Sequence, residues 1–242
     1  MYAIQTKGLC KKYGDITAVD ELNLEIKAGE IFSLLGVNGA GKTTVIKMLS
    51  CLSKPTSGDA LILGNSVLDN TAKIKRYIGV SPQESAIAPG LSVRENLELI
   101  SGVHGLDKNE KEEKINELER LFGLGEVIKK RASHLSGGWQ RRLSIAMALI
   151  NEPSVLFLDE PTLGLDVIAR SELWDIISCL KGKSTVILTT HYMEEAEALS
   201  DRIGIMKMGR LLITGSPKEL IEKTKSDKFE DAFISIVKEK NI

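Results

Sequence analysis

The segment that decides the fold is residues 31–43, which read Ile31-Phe32-Ser33-Leu34-Leu35-Gly36-Val37-Asn38-Gly39-Ala40-Gly41-Lys42-Thr43. Its first five residues are an apolar run of strand length, and the remainder matches the pattern G-x-x-x-x-G-K-[ST]. A helix is predicted next, over residues 42–51. An apolar strand, a glycine-rich loop and a helix in this order predict a phosphate-binding site. The alternative, a glycine-rich turn that only caps the helix, is disfavoured by that context.

The glycines of this loop have a chemical reason. They let the backbone curl so that several N–H groups point inward and form an anion nest, to which the helix N-terminus adds its positive dipole end. Lys42 can reach the β- and γ-phosphates of a nucleotide, and Thr43 can ligate Mg²⁺. The candidate nucleotide-binding residues of the loop are Gly36, Asn38, Gly39, Ala40, Gly41, Lys42, Thr43 and Thr44.

A second apolar strand, predicted over residues 155–158, ends in Asp159 and Glu160. Carboxylates next to a buried strand need a partner, so their position favours a metal or reaction site. Asp159 is expected to hold Mg²⁺ directly or through water, and Glu160 to orient and deprotonate an attacking water. Such a pair alone is often a helix cap or a solvated turn; the phosphate loop favours the catalytic interpretation.

The rest of the chain alternates between strands and helices. A strand over residues 3–9 and the alternation of Leu22, Leu24 and Ile26 with polar residues predict an antiparallel β part. Further strands are predicted over 59–63, 78–80, 185–188 and twice within 203–213, and further helices over 166–180 and 194–199. This alternation predicts an α/β fold with a mixed, mostly parallel sheet whose ligands lie beyond the carboxyl ends of the strands.

The middle of the chain differs from this alternation. Residues 92–131 are helical in pattern and rich in Glu and Lys. We therefore expect one domain over residues 1–242, with an inserted helical subdomain at about 92–150 and a helical tail over 217–242.

Composition excludes several classes of protein. The 242 residues are 43% hydrophobic and 27% charged, which argues against disorder and collagen. The net charge of −1 does not indicate a dedicated nucleic-acid surface. Cys10, Cys51 and Cys179 form neither a zinc pattern nor a disulfide framework. Residues 1–9 do not resemble a signal peptide, and no apolar run approaches the roughly 18 residues of a membrane span, so the chain is not expected to be embedded in a membrane.

A further motif narrows the prediction. Residues 135–142, Leu-Ser-Gly-Gly-Trp-Gln-Arg-Arg, resemble the signature motif of ABC-type ATPases. The resemblance covers nearly the whole chain, and its motifs occur in the order of that family. Tyr13 resembles the residue that stacks on adenine, Gln83 the Q-loop glutamine, residues 161–166 the D-loop, and His191 the switch histidine.

The resemblance implies a P-loop NTPase core that binds ATP and Mg²⁺. It implies catalytic roles for Lys42, Gln83, Glu160 and His191, with Thr43, Gln83 and Asp159 at the metal. Ser136, Gly137 and Gly138 stand at a predicted helix start, where a hydroxyl, glycine backbones and a helix dipole form a second anion site. Two phosphate-binding edges distant in sequence indicate a nucleotide sandwiched between two chains, which agrees with the head-to-tail dimer of the family.

Within the family, residues 191–197 and 229–233 resemble ATPase subunits that work with separate ABC-2-type permeases, often exporters. The implied partners are an integral-membrane permease, which would contact the surface at residues 85–91, and a second copy or a paralogous ATPase subunit, but no nucleic acid. The implied location is cytoplasmic, on the inner face of the cell membrane through the permease. One alternative is a soluble ABC ATPase that serves a machinery such as iron–sulfur assembly. Another is a nucleotide-gated binding module that hydrolyses poorly, against which Glu160 and His191 argue.

Four residues either allow two interpretations or have no predicted function. Trp139 stands where the family's signature usually has Gln, and it is expected either at the interface with a partner subunit or buried in its own helical subdomain. Tyr13 is either the adenine platform or a plain turn aromatic, and a stacked base favours the former. Arg141 and Arg142 are expected to form a solvated helix face.

Overall fold

A computed structural model describes residues 1–239 of the chain. Its strands are β1 (Tyr2–Tyr13), β2 (Ile16–Lys27), β3 (Ile31–Leu35), β4 (Ser57–Ile62), β5 (Asn65–Ser66), β6 (Ile78–Ser81), β7 (Val155–Asp159), β8 (Thr185–Thr190), β9 (Arg202–Lys207) and β10 (Arg210–Gly215). Its helices are α1 (Lys42–Leu49), α2 (Thr71–Ile74), α3 (Val93–Val103), α4 (Lys108–Phe122), α5 (Gly137–Ala148), α6 (Val167–Ser178), α7 (Met193–Leu199), α8 (Pro217–Thr224) and α9 (Phe229–Glu239).

Six strands form the central sheet, in the order β10-β9-β3-β8-β7-β6. All neighbouring pairs are parallel except β10 with β9. Successive residues of a strand point to opposite faces, so Ile31 packs into one core cluster and Phe32 into another. Burial of both faces explains why β3, β7 and β8 are mostly apolar, since every residue of these three strands is buried.

The central strands end at a common edge. In the parallel register Leu35 of β3 pairs with Thr190 of β8, and Asp159 of β7 pairs with Thr189. The phosphate loop, the carboxylates Asp159 and Glu160, and His191 therefore lie close together at the carboxyl ends of neighbouring strands. This confirms the predicted α/β fold with a mostly parallel sheet.

The predicted antiparallel part is a second sheet, in the order β2-β1-β4-β5. β1 and β2 form a long hairpin, and β1 also pairs with β4. Side chains such as Ile4, Leu24 and Ala60 pack with Phe32 and Phe157 of the central sheet in one core cluster. The start of β2 is thereby held next to the phosphate loop.

The helices α3, α4 and α5 occupy the segment for which the sequence predicts an inserted subdomain. Their apolar faces meet in a core that includes Leu97, Ile115, Phe122 and Leu143. Capping boxes fix the starts of α3 and α4, since Ser92 and Asp107 each exchange hydrogen bonds with a glutamate three residues on. The limits 92–150 of the subdomain stay a prediction.

Several predicted bounds differ from the structure. The first strand extends to Tyr13 rather than stopping at residue 9, because register shifts let it continue past a bulge. The helix after the loop ends at Leu49, and Cys51 has a left-handed backbone with a φ of 58°. The predicted helical tail consists of two helices, which are separated after Lys225, whose φ is 54°. Residues 240–242 of the predicted tail lie outside the described residues.

No helix within residues 1–239 has both the length and the apolar character of a membrane span.

Candidate active site

Most of the predicted loop residues, together with Gln83, Glu160 and His191, line one cleft of about 550 Å³ at the carboxyl edge of the central sheet. Gly36 and Asp159 are not among its lining residues. The start of β2 and the turn between β9 and β10 also contribute to the lining. The residues that line it are Ile16, Thr17, Ala18, Asn38, Gly39, Ala40, Gly41, Lys42, Thr43, Thr44, Gln83, Glu160, Leu163, His191, Met208 and Gly209.

Glycine is required in the phosphate loop for two reasons. Gly39 and Gly41 have φ angles of 81° and 98°, in the region that side chains disfavour. A Cβ on Gly41 would also lie 2.4 Å from the carbonyl oxygen of Ala18. The loop therefore curls tightly into α1, whose unpaired N–H groups and dipole favour an anion in the cleft.

Lys42 is a buried cation, with 6% of its surface exposed. Its Nζ donates hydrogen bonds to the carbonyl oxygens of Gly36 at 2.6 Å and Val37 at 3.3 Å. It also lies 3.2 Å from Oε1 of Glu160. A buried charge is tolerated only with such partners. The structure thus holds the positive charge of Lys42 beside the candidate base and within the phosphate loop.

Glu160 stands in an unusual backbone conformation directly after β7. Its φ of 48° is left-handed, which costs a non-glycine residue about 1–3 kcal/mol unless its surroundings enforce it. Its N–H donates to the carbonyl oxygen of Thr189 at 3.2 Å and to its Oγ1 at 3.0 Å. Its Oε2 lies 2.8 Å from Nδ1 of His191. Glu160, the candidate base, therefore joins His191 and Lys42 in one network of polar contacts.

Of the three residues expected at the metal, Thr43 and Asp159 are in direct contact, and Gln83 lines the cleft. The hydroxyl of Thr43 donates to Oδ1 of Asp159 at 3.0 Å, and the hydroxyl of Thr189 donates to the same oxygen at 2.5 Å. A hydroxyl and a carboxylate are hard oxygen donors of the kind that Mg²⁺ takes. Residues 1–239 contain no group of three or more His, Cys, Asp or Glu side chains placed to hold a metal. The Thr43–Asp159 pair fits an ion whose other ligands are substrate phosphate and water, as is usual for Mg²⁺.

The signature residues lie elsewhere on the molecule. Ser136 is the N-cap of α5, and its side chain makes no cap hydrogen bond. Ser136 and Gly137 are exposed, Gly138 is half-buried, and all three lie outside the cleft. A helix start with exposed glycines presents unpaired N–H groups to solvent. The structure confirms the predicted helix start but does not join this edge to Lys42 within one chain.

Tyr13 lies at the end of β1, paired with Ile16 of the cleft wall. Its ring is 49% exposed and lies outside the cleft lining, with Nζ of Lys11 5.0 Å from the ring centre. An adenine that leaves the cleft along Ile16 would meet this ring, so stacking stays a prediction.

Trp139 combines features of both interpretations. It is partly buried and packs on the core of the helical segment, while the guanidinium of Arg142 lies 4.9 Å from its ring centre. Arg142 in turn pairs with Glu172 at the surface. Trp139 is thus packed within its own chain, and part of its surface stays exposed beside residues 136–138, which we call the signature edge.

The expectation for Arg141 is wrong. This side chain is 5% exposed and points into the molecule, where it contacts the backbone around Gln83 and Glu160. The helical spacing could have indicated that Arg141 is buried, because it lies on the same face of α5 as the buried residues Ser144, Ile145 and Ala148. An arginine on a solvated face and one buried at a polar site look alike in sequence.

Two further polar residues were not predicted. Thr189 joins Asp159 to the backbone of Glu160, as described above. Glu195 is fully buried, and its Oε1 accepts hydrogen bonds from Thr162 at 2.8 Å and Trp174 at 3.1 Å. Burial raises the pKa of Glu195, and the hydrogen bonds oppose this shift. Its Oε2 is buried and has no hydrogen-bond partner among the described residues.

The sequence matches known proteins over most of its length. The profile of the family described as "ABC transporter" matches residues 19–163. "Probable multidrug ABC transporter ATP-binding protein YbhF" of Escherichia coli is 41% identical over 240 residues, which are 97% of this chain but 41% of that protein. The chain therefore spans about two fifths of the length of that relative.

Two other relatives are covered more fully. "Daunorubicin/doxorubicin resistance ATP-binding protein DrrA" of Streptomyces peucetius is 41% identical over 219 residues, 90% of this chain and 66% of that protein. "Nod factor export ATP-binding protein I" of Cupriavidus metallidurans is 40% identical over 220 residues, 90% of this chain and 73% of that protein.

Solved structures agree with the fold. An ATP-binding subunit of an ABC transporter superimposes with a TM-score of 0.87 at 26% identity, over 97% of this chain and 99% of the other. A dimeric bacterial ABC transporter cassette superimposes with a TM-score of 0.81 at 30% identity, over 88% and 98% of the two chains.

Proposed function

The chain belongs to the ABC transporter family, and from this premise we propose that it is the ATP-hydrolysing subunit of an exporter whose membrane permease is a separate chain. The names of its relatives refer to multidrug transport, daunorubicin resistance and Nod factor export, and these names support outward transport of a small molecule. The single domain expected over residues 1–242 would supply the ATPase part of that assembly.

The observation that carries the proposal is the cluster of Lys42, Glu160 and His191 beside the Thr43–Asp159 pair. These side chains come from three separate segments and meet at the mouth of one anion-binding loop. A cation, a base, a histidine and two oxygen donors are the groups that phosphoryl transfer to water requires.

In this mechanism each side chain has one task. Lys42 stabilises the charge on the β- and γ-phosphates, and the loop N–H groups orient them. Glu160 accepts the proton of the attacking water through its carboxylate. His191, held by Glu160 at Nδ1, would direct Nε2 toward the γ-phosphate. Gln83, which also lines the cleft, would contact metal or water. Mg²⁺, held by Thr43 and Asp159, would supply charge neutralisation between the phosphates.

We further propose that the signature edge of one subunit closes on the cleft of another. Ser136 and Gly137 are exposed and Gly138 is half-buried, so this helix start is accessible to a second chain. Near the cleft, Leu163, Val167 and Ile168 are 38%, 77% and 72% exposed, an apolar surface that a second subunit would cover. The dimeric state of a solved relative supports this arrangement. Tyr13 would stack on adenine in the closed state.

The permease would contact the far side of the helical segment. A small cavity of about 140 Å³ at the surface of residues 85–91 is lined by Val80, Ala86, Ile100 and Met147 among others. These apolar side chains would contact a short helix of the membrane protein. Through this contact the chain would be held at the inner face of the cell membrane, on the cytoplasmic side.

Replacement of Glu160 by Gln tests the proposal. The amide keeps the size of the side chain and removes the base, so ATP hydrolysis should fall by about 10²–10⁴-fold. ATP binding should survive, because Lys42 and the loop are unchanged. The variant should accumulate as a dimer in size-exclusion chromatography with MgATP but not with MgADP. Unchanged hydrolysis would remove Glu160 from the mechanism, and ATP binding without a dimer, even with the permease present, would contradict the paired arrangement.

A further inference from the structure

We propose that Arg141 is a positioning residue of the ATPase site, which ties the backbone of Glu160 and the turn that carries Gln83 to the signature helix α5. The inference rests on the proposed function, because it concerns the geometry of the same reaction. It assigns to one side chain a link between three motifs that are far apart in sequence.

Three hydrogen bonds support the assignment. Nη1 of Arg141 donates to the carbonyl oxygen of Pro82 at 2.6 Å, and Nη2 donates to that of Gln83 at 2.9 Å. Nη2 also donates to the carbonyl oxygen of Glu160 at 3.0 Å. The rigid, planar guanidinium thus fixes the relative position of these two backbone segments.

Burial makes this arrangement costly without its partners. Burial lowers the pKa of the Arg141 guanidinium, while the nearby carboxylates of Asp159, Glu195 and Glu160 oppose that shift. A buried cation is retained only where hydrogen bonds and charges compensate it. The next residue, Arg142, differs: it donates to the carbonyl oxygen of Phe122 and pairs with Glu172 at the surface. Only the first of these two adjacent arginines reaches the cleft side of α5.

The direction of the Glu160 carboxylate depends on this contact. Glu160 has a left-handed backbone, held at its N–H by Thr189 and at its carbonyl oxygen by Arg141 and the N–H of Leu163. Loss of Arg141 would free one end of this residue and the turn at Gln83 together. Because a displacement of about 1 Å at a reacting group can cost about a hundredfold in rate, the chemical step should respond more than ATP binding.

The test compares Arg141→Gln with Arg142→Gln, a matched change one residue along the same helix. For Arg141→Gln we expect kcat to fall about tenfold to a hundredfold, in line with such a displacement, while the Kd for MgATP stays within about threefold. In the nucleotide-free protein, hydrogen–deuterium exchange should rise in peptides that span residues 82–86 and 160–165. Arg142→Gln should keep the wild-type kcat and the wild-type exchange in both peptides.

A third variant, Arg141→Lys, guards against a folding defect. Its ammonium can reach at least one of the three carbonyl oxygens, so its kcat should lie between those of the wild type and Arg141→Gln. Wild-type kcat in a folded Arg141→Gln or in Arg141→Lys would overturn the proposal, as would equal losses in the Arg141 and Arg142 variants. If the wild type does not hydrolyse ATP, or Glu160→Gln hydrolyses normally, the proposed function fails instead, so the two failures are distinguishable.

Discussion

The two phosphate-binding edges of the chain are built in opposite ways. In the cleft, the side chains of Lys42 and Glu160 are 6% and 7% exposed and contact each other as well as their own backbone surroundings. At the signature edge, Ser136 and Gly137 are exposed, and the Ser136 side chain makes no cap hydrogen bond. One edge is completed by its own chain, whereas the other presents its donors to solvent.

The difference follows from the charges involved. The cleft holds a buried ammonium and two buried carboxylates, which are stable only when they are paired within the fold. The signature edge offers a hydroxyl and backbone N–H groups, which water can solvate at little cost until a phosphate replaces it. We infer that the cleft is organised before ATP binds and that the signature edge acquires its partner with the second subunit.

The largest change to this contrast should come from Lys42→Ala. The variant removes the cation of the organised edge, and a hydrogen bond to a charged group contributes about 1.5–3 kcal/mol, so the affinity for MgATP should fall by about tenfold to a hundredfold. Isothermal titration calorimetry measures this. The control is Lys47→Ala, an exposed lysine of the same helix, which should bind as the wild type does. Full affinity in Lys42→Ala would show that the loop is not the phosphate site.

Ser136→Ala should affect only the other edge. ATP binding to the monomer should stay within about twofold, whereas ATP-dependent dimerisation should weaken by about tenfold, near the lower limit for a hydrogen bond to a charged group. Analytical ultracentrifugation, performed in the Glu160→Gln background, separates the two effects. Ser133→Ala changes an exposed serine three residues earlier and serves as the control. A loss of monomer binding in Ser136→Ala would mean that the two edges act on one nucleotide within one chain.

The smallest expected effect concerns the buried side chain of Glu195 and appears as a pH dependence of the free energy of unfolding. Burial raises the pKa of Glu195, so the folded state binds more protons than the unfolded state between the ordinary pKa of about 4.3 and the raised value. This contribution makes the free energy of unfolding decrease as the pH rises through that window. Glu195→Gln cannot ionise and should lack that decrease.

Urea unfolding at a series of pH values measures the effect. The stability of Glu195→Gln relative to the wild type should increase with pH, by about 1.4 kcal/mol for each unit of pKa shift. Glu197→Gln, an exposed change on the same helix, should follow the wild-type curve. Parallel curves for Glu195→Gln and the wild type would show that Glu195 is ionised in the folded protein. Glu195 would then be a buried charge, as Lys42 and Glu160 are.

Most of the architecture can be predicted from motifs whose residues are close together in the sequence. The apolar run of residues 31–35, the glycine-rich loop and the helix that follows lie within the consecutive residues 31–49, so backbone preferences and hydrophobic burial suffice to predict them. The same holds for β7 with Asp159 and Glu160 and for the helix start at Ser136. The order of these motifs also indicated the family, and the ABC transporter profile over residues 19–163 confirms it.

Only the tertiary structure decided which polar groups meet. Lys42 and Glu160 are separated by more than a hundred residues, and the 3.2 Å between them depends on the register of β3, β8 and β7. Arg141 and Arg142 are adjacent residues of the same type, yet one contacts the backbone of Gln83 and Glu160 and the other pairs with Glu172. Sequence patterns report the preferences of single residues, whereas the partners of a buried charge depend on long-range packing, which removes water and makes a specific neighbour necessary.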